Sequence, residues 1–332
     1  MQDLLKNYQL QIDDYDLLSK SIIWTKILKN SHKDIDSEKL RNFFSNNLSD
    51  GIDNSRLMRM NDIKKNFLSL CEKYQIDKIL KLFPNENNNI GNSQNYYSHQ
   101  NKIISYNDIF LINFYFEIEK YFSNKKNIIL EIGGGYGGLA RIVSNNQNCT
   151  YVLIDLPETN LISSYYLKSH FPDSKFLLYE KFKINSNINI QDYDFVILPP
   201  WSLNKSISFD LCINIRSMME MDVLSINKYF KYIQENLKND GYFLNVNRYF
   251  SNDNNYNFYF NKFPYDKNWT IVKTDTSWLQ KNIHLLLARR TLDSSDEINK
   301  LMKKIEIFTE NRIYYKRNIY YKIKSLLKNL FS

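Results

Sequence analysis

Asn127-Ile128-Ile129-Leu130-Glu131-Ile132-Gly133-Gly134-Gly135-Tyr136-Gly137-Gly138-Leu139 is the stretch on which the fold turns. Ile128-Ile129-Leu130 reads as a short buried strand, and Leu139 to Val143 opens a helix. Between them lie five of the chain's eight glycines, all from 133 to 138. Glycine concentrated in one strand-to-helix turn needs a local cause. Absent side chains let the backbone turn tightly and approach a ligand closely.

The same alternation continues downstream. Tyr151-Val152-Leu153-Ile154-Asp155 is a second strand ending on an acid, and Pro157 to Phe171 a helix with proline in its first turn. Lys175 to Tyr179 suits an additional strand, and Asp194 to Leu198 a core strand stopped by Pro199-Pro200. Phe209 to Asn214 and Tyr242 to Val246 are further strands; between them a helix over Ile226 to Leu237 is expected to close on Asp240-Gly241, with the glycine as a left-handed C-cap. Trp269 to Lys273 and His284 to Ala288 suit a last antiparallel pair. Strands alternating with helices imply an α/β fold with a mainly parallel, doubly wound sheet. Upstream, residues 1–83 read as helices, 85–93 as a polar linker, and Ser105 to Phe122 as a helix opened by a Ser105/Asp108 capping pattern. The expected organisation is an N-terminal helical cap and linker over 1–95, the α/β unit over 96–290, and a basic C-terminal helix over 291–332.

Composition narrows the class. The 332 residues carry a net charge of +8. The segment Leu301 to Ser332 alone has eight Lys/Arg and two Glu, leaving too little surplus elsewhere for a nucleic-acid surface. Cys71, Cys149 and Cys212 are sparse and far apart, which fits neither a disulfide framework nor a metal site. No signal-peptide pattern or membrane-length apolar run is evident, so a cytoplasmic location is expected.

The spacing Gly133-x-Gly135-x-x-Gly138, with Asp155 about 20 residues on, also satisfies the dinucleotide fingerprint. An acid after the second strand can accept ribose hydroxyls from either NAD or S-adenosyl-L-methionine. Glu131 separates the two. A carboxylate at the end of the first strand suits the positive sulfonium and α-ammonium of S-adenosyl-L-methionine and suits a pyrophosphate badly. The cofactor-binding set expected is Glu131, Gly133, Gly135, Tyr136, Gly137, Asp155, Leu156 and Asn214, with Trp201 stacking on adenine.

Phe209-Asp210-Leu211 and Leu237-Lys238-Asn239-Asp240-Gly241-Tyr242-Phe243-Leu244 resemble the fourth- and fifth-strand landmarks of class I methyltransferases. Further local motifs are Ile154-Asp155-Leu156-Pro157-Glu158-Thr159, Leu198-Pro199-Pro200-Trp201, Arg216-Ser217-Met218-Met219-Glu220-Met221 and Asn245-Val246-Asn247-Arg248-Tyr249. With the glycine run they resemble the bacterial sugar O-methyltransferase family, over about residues 100–250. The resemblance implies a Rossmann-like class I methyltransferase sheet, S-adenosyl-L-methionine as methyl donor, and a sugar or glycoconjugate acceptor from surface-polysaccharide biosynthesis.

Ligands of open α/β sheets sit beyond the carboxyl ends of the strands. Arg216, Ser217, Asn247, Arg248 and Tyr249 are therefore the expected acceptor-binding residues. A sugar hydroxyl must lose its proton as it attacks, which calls for a general base. Glu220 is the first candidate, with an i, i+4 ion pair to Arg216 as its structural alternative. His99, carried on an N-terminal lid, is the second. His284 in an apolar strand reads as structural, and His170 as a cation favouring a helix C-terminus. Glu220 and Asp222 could share a metal ion, but no cluster demands one, and no metal is assigned. Ile319, Ile323, Leu326 and Leu330 share one face of a basic helix, which suits peripheral contact with a membrane surface or docking on the protein's own core. Homodimerisation stays open. The rivals are an NAD(P)-dependent sugar-modifying oxidoreductase and a catalytically inactive methyltransferase-fold partner subunit. The first would want a Tyr-x-x-x-Lys pair, and Tyr165-Tyr166-Leu167-Lys168 lies in the wrong place.

Overall fold

In the computed structural model, residues 1–14, 35–46, 48, 58–185, 188–252 and 257–310 are described. A small hairpin of Tyr97–His99 (β1) and Lys102–Ile104 (β2) leads into the helix Tyr106–Ile118. The glycine-rich stretch then opens the main sheet. Its strands in chain order are Asn127–Ile132 (β3), Cys149–Ile154 (β4), Phe176–Leu178 (β5), Phe195–Leu198 (β6), Phe209–Ile215 (β7), Leu237–Arg248 (β8), Trp269–Thr276 (β11) and Ile283–Arg290 (β12). Phe250–Ser251 (β9) and Phe258–Tyr259 (β10) form a separate short pair.

The spatial order is β11-β12-β8-β7-β3-β4-β6-β5. The six strands from β8 to β5 are parallel; β12 runs antiparallel to both β8 and β11. The expected doubly wound sheet and its closing antiparallel pair are thus both present. After β3 the chain builds outward on one side, through β4, and then returns to lay β7 on the other side of β3. This reversal is the switch point at which open α/β sheets bind ligands.

β3 and β4 are buried at all six positions each, as parallel strands covered on both faces must be. Alternate residues feed two cores. Ile129, Leu153 and Ile213 pack on one face with Leu40, Phe43 and Phe67 of the N-terminal elements; Leu130, Val152 and Cys212 pack on the other with Phe230 and Ile298. Helix Tyr106–Ile118 buries ten of its thirteen residues, because it lies between the N-terminal elements and the sheet. Its N-cap Ser105 accepts from the Asp108 amide at 3.0 Å and donates to Asp108 Oδ2 at 2.7 Å. Helix 297–310 docks through Ile298, Met302 and Ile305. The rest of the basic tail, with Ile319, Ile323, Leu326 and Leu330, lies outside the described residues. No described helix is long and apolar enough to cross a membrane.

Three local expectations are corrected. Gly241 is not a helix cap: Val223–Asn236 ends and Leu237 enters β8 directly, with a register shift opposite Asp210. The left-handed residue there is Asp240 (φ 62°), and Gly241 instead keeps clear of the Lys238 and Asp210 carbonyls, which a Cβ would meet at 2.8 and 2.9 Å. Residues 85–93 are no loose linker. Glu86–Asn88 forms a turn, Asn85 bridges Lys102, and the Gly91 carbonyl accepts from the Phe44 amide at 2.8 Å. Their polar side chains satisfy the turn itself, as Asn89 does by bonding both the amide and the carbonyl of Ser93. His170 is no helix-end cation: burial beside Tyr166 and Asn88 pushes its pKa down to about 3 and keeps it neutral.

Arg141, on the helix Gly138–Ser144 that follows the glycine turn, ties three segments together. Its guanidinium donates to Asp108 Oδ1 and to the Leu82 carbonyl, each at 2.8 Å, with both charged side chains under a tenth exposed. Removing one partner strands a buried charge. Arg141→Leu is expected to lower the unfolding free energy in urea by about 3–5 kcal/mol. The double variant Arg141→Leu/Asp108→Leu should lose less than the sum of its parts.

Candidate active site

The parallel strands deliver the ends of β3, β4, β6 and β7 to one cleft. It is lined by Glu131, Gly133 to Tyr136, Asp155, Leu156, Pro200, Arg216, Ser217, Glu220 and Tyr229, with Asn107 and Phe110 from the helix above. Of the expected cofactor residues, Glu131, Gly133, Gly135, Tyr136, Asp155 and Leu156 therefore converge on it.

The glycine turn is shaped from both sides. Gly133 has φ 77°, and its amide donates to the Ile154 carbonyl at 2.8 Å. A side chain at Gly133 would collide with Ser217 Oγ and Cβ. Gly137 is the left-handed N-cap (φ 89°) of the helix Gly138–Ser144. Asp155 receives the Gly135 amide on Oδ2 at 2.8 Å and the Leu156 amide on Oδ1 at 2.7 Å, so it shapes the loop as well as facing the cleft. Burial pushes its pKa up to about 7, against the two amide bonds that pull it down. Glu131 is 2% exposed, and its Oε2 accepts from the Tyr151 hydroxyl at 2.8 Å. Burial, helped by the charge of Asp155, pushes its pKa up to about 8. Two acids thus stand half-ready to ionise near neutral pH, where a cationic ligand would favour their charged forms.

Arg216 follows β7 with φ 66°, an uncommon conformation for a non-glycine residue and one found often at functional sites. Its amide donates to the Val246 carbonyl at 2.7 Å, and its guanidinium stands 5.7 Å from the centre of the Phe110 ring. Burial lowers its pKa. Glu220 sits on the turn Met218–Glu220, and its Oε1 lies 3.6 Å from Arg248 Nη2. Glu220 thus pairs with Arg248, and its charge also acts on Arg216, where it works against the effect of burial.

Other expected residues stand behind the cleft. Asn214 is fully buried; its Nδ2 donates to the Ile132 carbonyl at 2.7 Å and to Ser217 Oγ at 2.5 Å. Asn247 is also fully buried and donates to Asn214 Oδ1 at 2.7 Å and Asn245 Oδ1 at 2.6 Å. Tyr249 turns inward, its hydroxyl bonded to Thr276 Oγ1 at 2.6 Å and to His284 Nδ1 at 3.0 Å. His284 is structural as expected; burial holds its pKa down to about 4. The Tyr136 ring packs edge-on against Phe44 and Tyr166, and its hydroxyl accepts from Asn107 Nδ2 at 3.1 Å.

Trp201 and His99 do not reach the cleft. Pro199-Pro200 start a tight turn, Pro200–Asn204, that leaves Pro200 facing the cleft and carries Trp201 past it. Trp201 Nε1 donates to the Tyr179 hydroxyl at 3.0 Å in an adjacent depression. His99 lies on β1, its ring stacked on Tyr97 and tilted against Phe67, so it is not a lid residue. Asp222, offered with Glu220 as a metal pair, caps the helix Val223–Asn236 by accepting from the Ser225 amide at 2.8 Å. Asn107, Phe110 and Tyr229 line the cleft without having been singled out; they lie on expected helices, but no motif marks them.

No protein-family model matches the chain, and no curated protein does. Solved structures similar to it include the pyocyanin biosynthetic protein PhzM (12% identity, TM-score 0.35, 53% of each chain). They also include the mitomycin 7-O-methyltransferase MmcR (11%, 0.32, 50% of this chain and 49% of that one). A third is TehB from Haemophilus influenzae (12%, 0.36, 58% and 64%). The matched part spans about half the length of the first two. Likeness this distant assigns no residue. The Rossmann-like α/β fold rests on the sheet: β6-β4-β3-β7-β8 repeats the 3-2-1-4-5 order of the dinucleotide-binding fold, and the antiparallel β12 is where it departs.

The two acids make stability depend on pH. Unfolded, each carboxyl releases its proton near pH 4; folded, Asp155 and Glu131 hold theirs to about pH 7 and 8. The folded state therefore carries extra protons across that window, and the ligand-free protein should lose stability as pH rises through it. Urea midpoints measured at intervals across this range should fall. Glu131→Gln and Asp155→Asn should each flatten the slope; an unchanged slope in both would refute the assignment.

Proposed function

We propose that this chain transfers a methyl group from S-adenosyl-L-methionine to a hydroxyl group of a sugar, in a surface glycan or its nucleotide- or lipid-linked precursor. The observation that carries this is the placement of two buried carboxyl groups, Glu131 and Asp155, at the ends of neighbouring parallel strands beside the glycine turn. Such a cleft attracts a sulfonium and an α-ammonium and repels a pyrophosphate. When bound, S-adenosyl-L-methionine supplies a methyl group on a positively charged sulfur. Gly133 to Gly135 would give its amino-acid end room against backbone, Glu131 would meet positive charge, and Asp155 would accept ribose hydroxyls while still holding the loop.

The acceptor side is supported by charge. Glu220 is the group to take the acceptor's proton, with Arg248 holding its carboxylate in place. Arg216, over Phe110, can bond acceptor oxygens from the wall of the cleft. Holding the attacking oxygen in line with the methyl group would supply much of the acceleration. The sugar rests on the motifs at 154–159, 216–221 and 245–249. In this reading the protein works in the cytoplasm, with the segment beyond residue 310 against the membrane surface, as a monomer or homodimer.

Calorimetry separates the cofactors. S-adenosylhomocysteine should bind and NAD(H) should not; tight NAD(H) binding with no S-adenosylhomocysteine binding would end the proposal. Binding of S-adenosyl-L-methionine at pH 7 should release protons, seen as a heat that varies with the buffer's ionisation enthalpy, and Glu131→Gln should diminish that release. Glu220→Gln should lower kcat by about 10²–10⁴-fold while leaving S-adenosylhomocysteine affinity unchanged. Mass spectrometry of surface glycans with and without the protein should show the loss of one methyl group.

A further inference from the structure

The turn between β11 and β12 lies at the carboxyl end of the parallel strands, the same end as the cleft. The turn and the adjoining part of β11 meet helix Tyr106–Ile118 through polar side chains at successive levels. Gln280 Nε2 donates to the Tyr106 hydroxyl at 2.9 Å, Trp278 Nε1 to Asn113 Oδ1 at 2.7 Å, and Lys273 Nζ to Glu117 Oε2 at 2.6 Å. Lys73, from the helix Met60–Lys73, closes a third side: its Nζ donates to Asn113 Oδ1 at 2.9 Å and lies 5.7 Å from the centre of the Trp278 ring. Lys73, Asn113, Glu117, Lys273 and Trp278, with Asp275 and Ser277, line an open cavity of about 570 Å³.

The chemistry of this cavity is unlike an ordinary domain contact. Asn113 is only 2% exposed, and its Oδ1 takes two hydrogen bonds while its Nδ2 donates to nothing among the described residues, although the side chain lines the cavity. That amide is open to the cavity, where it is a donor available to a ligand hydroxyl. Beside it stands the partly exposed indole of Trp278, fixed in orientation by its own N–H bond. The charged lining groups are Lys73 and Lys273 against Glu72, Glu117 and Asp275, which gives no surplus of positive charge to hold a phosphate or a carboxylate. An aromatic face with a ring of donors and acceptors and little net charge matches a pyranose, which offers an apolar C–H face and hydroxyls around its edge.

Position links the cavity to methyl transfer. Phe110 lines the cleft and Glu117 lines the cavity, seven residues further along one helix, or about 10 Å at 1.5 Å per residue. A short run of sugar units spans that distance.

We propose that the Trp278–Asn113 cavity is an outer subsite that binds an uncharged sugar unit of the acceptor glycan, stacked on Trp278 and bonded by Asn113 Nδ2, while a neighbouring unit is methylated in the cleft. This rests on the sugar methyltransferase reading above, and the test keeps the two apart. The probe is the neutral oligosaccharide released by mild acid from the surface glycan of cells lacking this protein. Its binding to the full chain is followed by calorimetry, with S-adenosylhomocysteine binding as the control for an intact cleft. Trp278→Ala should weaken oligosaccharide binding by about tenfold or more, and Trp278→Phe, which keeps a stacking ring, by less. Both should retain S-adenosylhomocysteine affinity. In turnover, Trp278→Ala should raise KM for the oligosaccharide with kcat little changed. Equal oligosaccharide affinity in wild type and Trp278→Ala, or no binding by wild type, overturns the subsite even if S-adenosylhomocysteine binds normally. Binding that depends on Trp278 in a chain that takes no S-adenosylhomocysteine supports the subsite and removes the methyl-transfer reading instead.

Discussion

The side-chain amide of Asn214 holds the site together. It lies fully buried at the end of β7, donates to the last carbonyl of β3, and accepts from Asn247 on β8. Asn247 donates in turn to Asn245, whose own amide reaches the Tyr265 hydroxyl at 2.9 Å. Amides buried among apolar strands are tolerable only when each finds a partner, so this line of asparagines admits one relative placement of the three strand ends. That placement brings Ser217 against Gly133 and leaves no room for a side chain there. The glycine turn is thus shaped by β7 and β8 as much as by its own sequence.

The cleft that results is divided electrically. Glu131 and Asp155 come from β3 and β4, whereas Arg216 and Arg248 come from the ends of β7 and β8. Strand order makes this separation, because β3 stands at the boundary between the two halves of the sheet. A ligand lying across the boundary meets the two buried acids at one end and, at the other, Arg216 beside the Glu220–Arg248 pair. Burial sharpens the contrast by keeping water from screening either side.

Much of this was legible in the sequence, and the misses have physical reasons. The strands announced themselves because a parallel sheet covered on both faces demands apolar runs, as in Ile128 to Leu130 and Tyr151 to Ile154. The glycine turn and its two acids were equally plain. Asn247, Arg248 and Tyr249 were expected together at the acceptor. A strand alternates, however: Asn245, Asn247 and Tyr249 share one buried face, and of the three expected residues only Arg248, on the other face, keeps a partly exposed side chain, paired with Glu220. Trp201 and His99 depended on the path of a turn and of a hairpin, which residue type does not specify. Gly241 was misjudged because a glycine after a helix commonly marks a cap, whereas here two carbonyls crowd its α-carbon. Asn107, Phe110, Asn113 and Trp278 belong to segments whose meeting is set by tertiary packing alone.

Helix Tyr106–Ile118 has almost no solvent face, and this has a consequence for how the molecule comes apart. Its inner residues complete the cleft, its outer ones meet the β11–β12 turn, and its first turn is bonded through Arg141 to the segment ending at Leu82. A helix buried all round cannot persist once one neighbour leaves, since the apolar surface laid bare exceeds what its own hydrogen bonds can sustain in water. The described N-terminal elements, this helix and the glycine turn therefore open together as one cooperative unit, and local fluctuations large enough to admit a protease there would expose the ligand cleft in the same event.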